Sequence, residues 1–335
     1  MKRRELLFLG LCYPALVFSE VKYPEVTSNQ ILRFPRDHGA HPEYRQEWWY
    51  VTGWLKTERG EDLGFQITFF RARPDIDTAN PSSFTPRQVI LAHAALADPR
   101  HGRLRHDERA ARAALGLAGS RQETTSVWVD DWVFELQKDR YTARIRARDF
   151  SLDLEFVARG PLVLQGENGF SRKGARQEEA SYYYSRPQLA VSGTARGARV
   201  TGTAWLDHEW SSQYMDSAAV GWDWCGLNLQ DGSSLMAFRM RGKDGKTTYA
   251  PPGVSFQALR TWKSPRTGTV YPVSVNVQAG KREYRLEPLM DDQELDARAS
   301  TGTIYWEGAV RAMQAGKQAG LGYLELTGYW RPMKL

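Results

Sequence analysis

The most regular feature of this chain is the alternation of hydrophobic and polar residues. In the segment 150–156, Phe or Leu occupies every second position, and Ser, Asp and Glu lie between them. The segment 63–73 places Phe65, Ile67 and Phe69 in the same alternating way. A period of two residues is the pattern of a β-strand with one buried face. The chain is therefore predicted to be an all-β protein of antiparallel strands.

Turn residues rich in Gly, Pro and Asp separate these predicted strands along the whole chain. Helix signals are rare: an Asp that can act as an N-cap and a following Gly predict a short helix at Asp107–Leu117, and a second is predicted at Asp291–Arg298. Strands are predicted near 47–57, 63–73, 88–97, 127–136, 140–148, 150–158, 182–192, 199–205, 220–230, 234–241, 254–262, 269–278, 282–287, 301–311 and 320–329.

A short internal repeat divides the predicted strands into two groups. Gly53-Trp54 leads through a polar turn to Phe70-Arg-Ala-Arg73, and Gly221-Trp222 leads in the same way to Phe238-Arg-Met-Arg241, 168 residues later. Two matches in register favour a duplicated β-domain. We therefore predict two β-barrels in tandem, residues 20–198 and 199–335, and barrels of this size enclose one small ligand.

Composition and charge narrow the location and the partners. Residues 1–19 combine Lys2-Arg3-Arg4 with a short apolar segment, which predicts a signal peptide and a periplasmic or cell-envelope protein. Of the two cysteines, Cys12 lies in this segment, so the mature chain would keep Cys225 alone and form no internal disulfide. The net charge of +6 is spread along the chain and gives no indication of nucleic-acid binding.

The densest group of chemically active residues is Val200–Trp210, which ends in Trp-Leu-Asp-His-Glu-Trp. If this segment is one strand, Asp207 and Glu209 share one face, and His208 and Trp210 share the other. We expect the His208 and Trp210 face to line a pocket and the acidic face to meet arginines. A purely structural role for all of them stays open, and so does a core role for His93, which lies among small apolar residues.

The motifs Glu47-Trp-Trp-Tyr50, Gly53-Trp54, Ala92-His93-Ala94 and Trp205–Trp210 resemble the AttH-like family of secreted bacterial proteins. That family is related to the carotenoid 1,2-hydratases, also called hydroxyneurosporene synthases. The resemblance implies two tandem lipocalin-like barrels of the calycin group. It also implies a tryptophan plugged by a stacked arginine, with Trp54 and either Arg186 or Arg331 as the candidates.

The resemblance leaves two functions open. The first is binding of a lipid or isoprenoid-like apolar ligand by an exported protein, and the second is cofactor-free addition of water to, or isomerisation of, a carbon–carbon double bond in such a ligand. Asp207, His208 and Glu209 are the candidate catalytic residues, with Asp207 or Glu209 as proton donor. No metal or cofactor is predicted, a membrane transporter is a possible partner, and the oligomeric state is left open. The ligand-binding candidates are Trp48, Trp49, Tyr50, His93, Trp205, Trp210, Trp222 and Trp224.

Overall fold

The computed structural model describes residues 21–76 and 85–333, and in this part of the chain the protein is built from two antiparallel sheets. The predicted all-β class is confirmed. One sheet curls into a nearly closed barrel and the other into a half-barrel. The predicted signal segment, residues 1–19, lies outside the described residues.

The first sheet has 13 strands within the described ranges. Eleven of them lie side by side in the order β4-β3-β2-β1-β13-β12-β9-β8-β7-β6-β5, and the short strands β10 and β11 each pair with β12. The strands are β1 (Gln46–Thr57), β2 (Asp62–Ala72), β3 (Val89–Ala97), β4 (Arg105–Arg112), β5 (Ala118–Ser120), β6 (Ser126–Val129), β7 (Trp132–Gln137), β8 (Arg140–Arg146), β9 (Ser151–Val157), β10 (Val163–Leu164), β11 (Phe170–Arg172), β12 (Ala180–Ala195) and β13 (Ala198–Gln213).

The second sheet has nine strands in the described part of the chain, in the order β16-β15-β14-β22-β21-β19-β18-β17, with β20 paired to β21. The strands are β14 (Ala219–Leu229), β15 (Ser234–Gly242), β16 (Thr247–Tyr249), β17 (Val254–Lys263), β18 (Val270–Ala279), β19 (Arg282–Pro288), β20 (Glu294–Ala297), β21 (Thr303–Gln314) and β22 (Lys317–Leu326).

Strand β13, which carries the motif 200–210, belongs to the first sheet and does not open the second. It lies between β1 and β12, with Tyr50 opposite Asp207. The predicted boundary at 198/199 therefore falls inside the β12–β13 hairpin, whose turn residues Arg196 and Gly197 both have positive φ. The change of sheet follows Gln213, between β13 and β14.

Both predicted helices are wrong, because tertiary pairing overrides local helix propensity. The segment Arg105–Arg112 is a strand that pairs with β3, and Glu294–Ala297 is a strand that pairs with β21. The helical geometry in the described ranges is a single 3₁₀ turn at Arg36–His38. None of the described segments forms a helix long and apolar enough to cross a membrane.

The two sheets meet along a seam of buried aromatic residues that includes Tyr50, Trp54, Trp205 and Trp224. The indole nitrogen of Trp54 donates to the carbonyl of Gly322 in the second sheet, at 2.9 Å. The Trp54 ring stacks with an arginine other than the two expected ones, since the guanidinium of Arg311 lies 4.8 Å from it.

The two predicted partners of Trp54 lie elsewhere. Arg186 contacts His38, with 3.4 Å between the nitrogen atoms, and Arg331 stacks on Trp330 at 4.3 Å. The stacking cation of Trp54 therefore comes from β21 of the opposite sheet, so the contact joins the two sheets.

Replacing Trp54 by Ala should lower the free energy of unfolding by about 3–5 kcal/mol, because it opens a cavity in the seam and removes the Gly322 hydrogen bond. Urea unfolding measures the loss. The matched control is Trp128→Ala in β6, where the tryptophan is half-buried at a sheet margin and a loss of about 1 kcal/mol is expected. Equal losses in the two variants would contradict a stabilising role for the seam.

Candidate active site

A cavity of about 690 Å³ lies between the two sheets. Its walls carry pairs of side chains spaced two residues apart, because alternate residues of a strand face the same side. Aromatic rings and carboxyl groups dominate this lining. The pairs are Trp48 and Tyr50 on β1, Asp207 and Glu209 on β13, Trp222 and Trp224 on β14, and Tyr305 and Glu307 on β21.

The acidic face of β13, and not the His208 face, lines this cavity. This reverses our expectation for the motif. His208 and Trp210 point away from the cavity into a second aromatic layer, where the His208 ring stacks on Trp49 at 4.8 Å and the Trp210 ring stacks on His41 at 3.7 Å.

The aromatic candidates therefore divide into three groups. Trp48, Tyr50, Trp222 and Trp224 line the cavity. Trp49 and Trp210 belong to the layer behind β13. Trp205 lies in the seam and acts on the cavity indirectly, by holding Asp207.

Asp207 is buried and accepts hydrogen bonds from three side chains. The Tyr183 hydroxyl donates to one oxygen at 2.7 Å, and the Trp205 indole at 2.6 Å and the Ser185 hydroxyl donate to the other. Burial raises the pKa of Asp207 to about 7, although these three donors favour the charged form. A carboxyl group that titrates near neutral pH can both accept and release a proton during a reaction.

Glu209, the second acid on this face, forms a buried ion pair with Lys173 at 2.7 Å. Its expected partners were arginines, so that expectation is wrong. The Lys173 ammonium also lies 4.2 Å from the Phe238 ring and 4.8 Å from the Tyr183 ring. Because Glu209 has its own cation, it is a poorer proton donor than Asp207.

The sequence interpretation missed two more carboxyl groups of the cavity, Glu307 and Glu325. Glu307 accepts a hydrogen bond from the Tyr50 hydroxyl at 2.9 Å, and Glu325 accepts one from the Trp222 indole at 2.9 Å. Burial raises the pKa of Glu325 to about 7, and burial together with Glu325 raises the pKa of Glu307 well above its usual range. The available signal was a glutamate on the same strand face as a tyrosine two residues earlier, in Tyr305-Trp-Glu and Tyr323-Leu-Glu.

His93 lines the cavity and also joins the two sheets. One ring nitrogen is 2.7 Å from the Tyr305 hydroxyl of β21, and the other is 2.8 Å from the Ser300 hydroxyl. Burial lowers the pKa of His93 to about 3, so the ring is neutral at physiological pH. These contacts satisfy both ring nitrogens, as a core histidine requires.

Behind β13, Glu47 holds His41, His208 and Arg71 together. Its oxygens lie 2.8 Å from ring nitrogens of both histidines and from the Arg71 guanidinium. Although burial opposes it, these partners keep the pKa of Glu47 well below its usual range. His41, Glu47 and His208 have the donor atoms of a metal site within 4.8 Å of one another. The Arg71 guanidinium already supplies positive charge to the carboxylate, so the cluster fits a hydrogen-bonded ion network better than a cation site.

With this geometry established, comparison with known proteins places the chain. The family model described as AttH-like matches residues 25–329. The chain belongs to the AttH-like family. No curated protein matches it.

Solved structures agree with this family membership. A protein of Nitrosomonas europaea described as AttH is 52% identical, covers 91% of this chain and 99% of its own, and superposes with a TM-score of 0.85. Kievitone hydratase from Nectria haematococca is 14% identical, covers 93% of this chain and 97% of its own, and has a TM-score of 0.63. The second comparison shows a shared fold.

Replacing Asp207 by Asn should change how stability depends on pH. The native pKa of Asp207, about 7, lies above its ordinary value of 3.8, so the native state binds more protons than the unfolded state between these values. The free energy of unfolding of the wild type should therefore fall relative to Asp207→Asn as pH rises through this range, by up to about 1.4 kcal/mol per pH unit. Chemical denaturation at several pH values measures this difference. A difference that does not vary with pH would contradict the desolvation of Asp207.

Replacing Lys173 by Met should destabilise the protein by about 3–5 kcal/mol at pH 7, because Glu209 would be left buried without its cation. Adding Glu209→Gln to this variant should restore part of the loss, and urea unfolding measures both. Lys246→Met serves as the control, since that lysine forms an exposed surface pair and little change is expected. If the double variant were no more stable than Lys173→Met, the pair would not be coupled.

Proposed function

We propose that the cavity binds an apolar, unsaturated ligand of the lipid or isoprenoid class. We further propose that the protein transfers a proton to or from this ligand without a cofactor, as a hydratase or an isomerase. The observation that carries this proposal is Asp207, a desolvated carboxyl group with a pKa of about 7 in the wall of an aromatic cavity.

The cavity provides what protonation of a carbon–carbon double bond requires. Adding a proton to such a bond leaves a carbocation, and the faces of Trp48, Trp222 and Trp224 offer negative quadrupole charge to it. Asp207 and Glu307 are only 3% and 1% exposed, so the cavity wall is poor in water and electrostatic interactions there are strong. Asp207 is the group that exchanges a proton near neutral pH.

The family context supports the same class of chemistry. A hydratase shares the fold at 14% identity, so the architecture accommodates such a reaction in another protein. The resemblance to carotenoid hydratases implies a further Tyr and Asp on a strand of the second barrel, and Met236–Met240 contains neither. In this chain the cavity carboxyls of β13, β21 and β22 would take their place.

A carrier function is the second candidate, and the aromatic lining favours it independently of the acids. A carrier would retain its ligand unchanged and would need the rings but not Asp207. Export, a location in the periplasm or envelope, and a transporter partner stay predictions for either function.

Ligand identification combined with Asp207→Asn separates these functions. Native mass spectrometry of the protein purified from its native host identifies a bound molecule, and incubation with a total lipid extract in deuterated water reports turnover as a mass gain. We expect Asp207→Asn to keep binding and to lose turnover about 100-fold or more. Asp139→Asn, at an exposed turn, is the matched control and should behave as the wild type.

Binding by the wild type without any mass gain would support the carrier. Absence of both binding and turnover would contradict the proposal that this cavity is a ligand site.

A further inference from the structure

Glu307 and Glu325 form a carboxyl pair that the proposed role of Asp207 leaves unexplained. They are direct cross-strand partners on the antiparallel strands β21 and β22, and both line the cavity. Side chains directly opposite each other in such a pair lie on the same face of the sheet, with their Cβ atoms about 5 Å apart. Two carboxyl groups are therefore held next to each other in a water-poor place.

Like Asp207, the two glutamates have no cationic partner, which separates these three acids from Glu47 and Glu209. Glu47 has Arg71, and Glu209 has Lys173. Among residues 21–76 and 85–333, neither Glu307 nor Glu325 forms an ion pair, and their hydrogen-bond donors are the neutral Tyr50 and Trp222. Nothing in this part of the chain compensates two negative charges.

Two adjacent carboxylates without a cation cannot both stay ionised at low effective dielectric. A carboxyl pair of this kind retains a proton and titrates as a coupled unit in two steps. The buried Oε1 atom of Glu307 has no hydrogen-bond partner among the described residues, and Glu307 is only 1% exposed. The unpartnered oxygen of a cavity-lining side chain is where a transferable proton can be carried.

Asp207 is less suited to donate a proton. Its two oxygens already accept hydrogen bonds from Tyr183, Ser185 and Trp205, so a proton on Asp207 would displace one of these donors. Asp207 and Glu325 line the same cavity from the two different sheets, and the charge of Asp207 helps to raise the pKa of Glu325.

We infer that Glu307 and Glu325 share one proton, that Glu307 delivers it to the ligand, and that Asp207 on the opposite wall accepts the proton released later. This inference rests on the proposed function. The π electrons of the double bond form a C–H bond with the donated proton and leave a carbocation. In hydration, a water oxygen forms the C–O bond and its proton passes to Asp207. In isomerisation, Asp207 instead takes a proton from the neighbouring carbon, and the C–H electrons form the new double bond.

After the reaction, exchange with solvent returns a proton from Asp207 to the glutamate pair. Hydration therefore consumes one alkene and one water and produces one alcohol, and isomerisation changes only the position of the double bond. In both cases the protein recovers its starting protonation state.

The first test needs no ligand. Carbon NMR of the protein labelled at the Glu side-chain carboxyl groups follows each group through a pH titration. We expect the Glu307 and Glu325 signals of the wild type to titrate in two coupled steps. In Glu325→Gln, Glu307 should titrate in a single step at lower pH than the upper step of the wild type, because the repulsion from Glu325 is gone.

The second test measures turnover of the total lipid extract in deuterated water. Glu307→Gln should lose turnover about 100-fold or more. Glu325→Gln should keep more activity than Glu307→Gln, and the pH above which its activity falls should be lower than in the wild type. Glu283→Gln, an exposed glutamate of β19, is the matched control and should change neither the titration nor the turnover.

Independent titration of the two groups, unaffected by substitution of the partner, would overturn the inference. Full turnover by Glu307→Gln alongside loss in Asp207→Asn would also overturn it, while leaving the proposed function in place. Coupled titration without turnover in the wild type would contradict the proposed function and, with it, the assignment of Glu307 as proton donor.

Discussion

The burial of residues 204–211 on both faces of strand Ala198–Gln213 is the constraint on which the rest of the structure depends. The strand lies between β1 and β12 in the first sheet and borders the second sheet through its cavity face. Because side chains alternate along it, Asp207 and Glu209 enter the cavity while His208 and Trp210 enter the aromatic layer behind. The carboxyl groups and the imidazole of this buried stretch must therefore find partners inside the protein.

The two sides of this strand satisfy that requirement differently. Behind it, Glu47 forms an ion pair with Arg71 and hydrogen bonds with His41 and His208, so its negative charge has a partner within the same cluster. In the cavity, Glu209 forms an ion pair with Lys173, whereas Asp207 accepts hydrogen bonds from neutral side chains only. The unpaired acids therefore have raised pKa values, and such groups are characteristic of sites that move protons.

The cavity depends on the seam between the sheets. Trp54 of the first sheet is held by Arg311 and Gly322 of the second, and His93 reaches Tyr305 across the same boundary. These contacts keep the two acidic walls facing each other, which neither sheet could achieve alone. Preorganised groups on two rigid sheets are a favourable arrangement for electrostatic catalysis.

The sequence by itself determined the β class, the strand alternation and the grouping of side chains by face, because a period of two residues is a local property of the backbone. Its dense motifs also singled out Trp48, Tyr50 and Asp207 as candidate site residues, although the acidic face of β13 was expected to meet arginines and lines the cavity instead. The family followed from the same motifs.

Only the tertiary structure decided which face of a strand meets which neighbour. Alternation separates His208 from Asp207 but carries no information about which side another sheet will cover. The pairing of Arg105–Arg112 with β3 turned a predicted helix into a strand, and Arg311 rather than a predicted arginine reached Trp54. Glu307 and Glu325 are 18 residues apart in the chain, and only the register of β21 and β22 makes them neighbours.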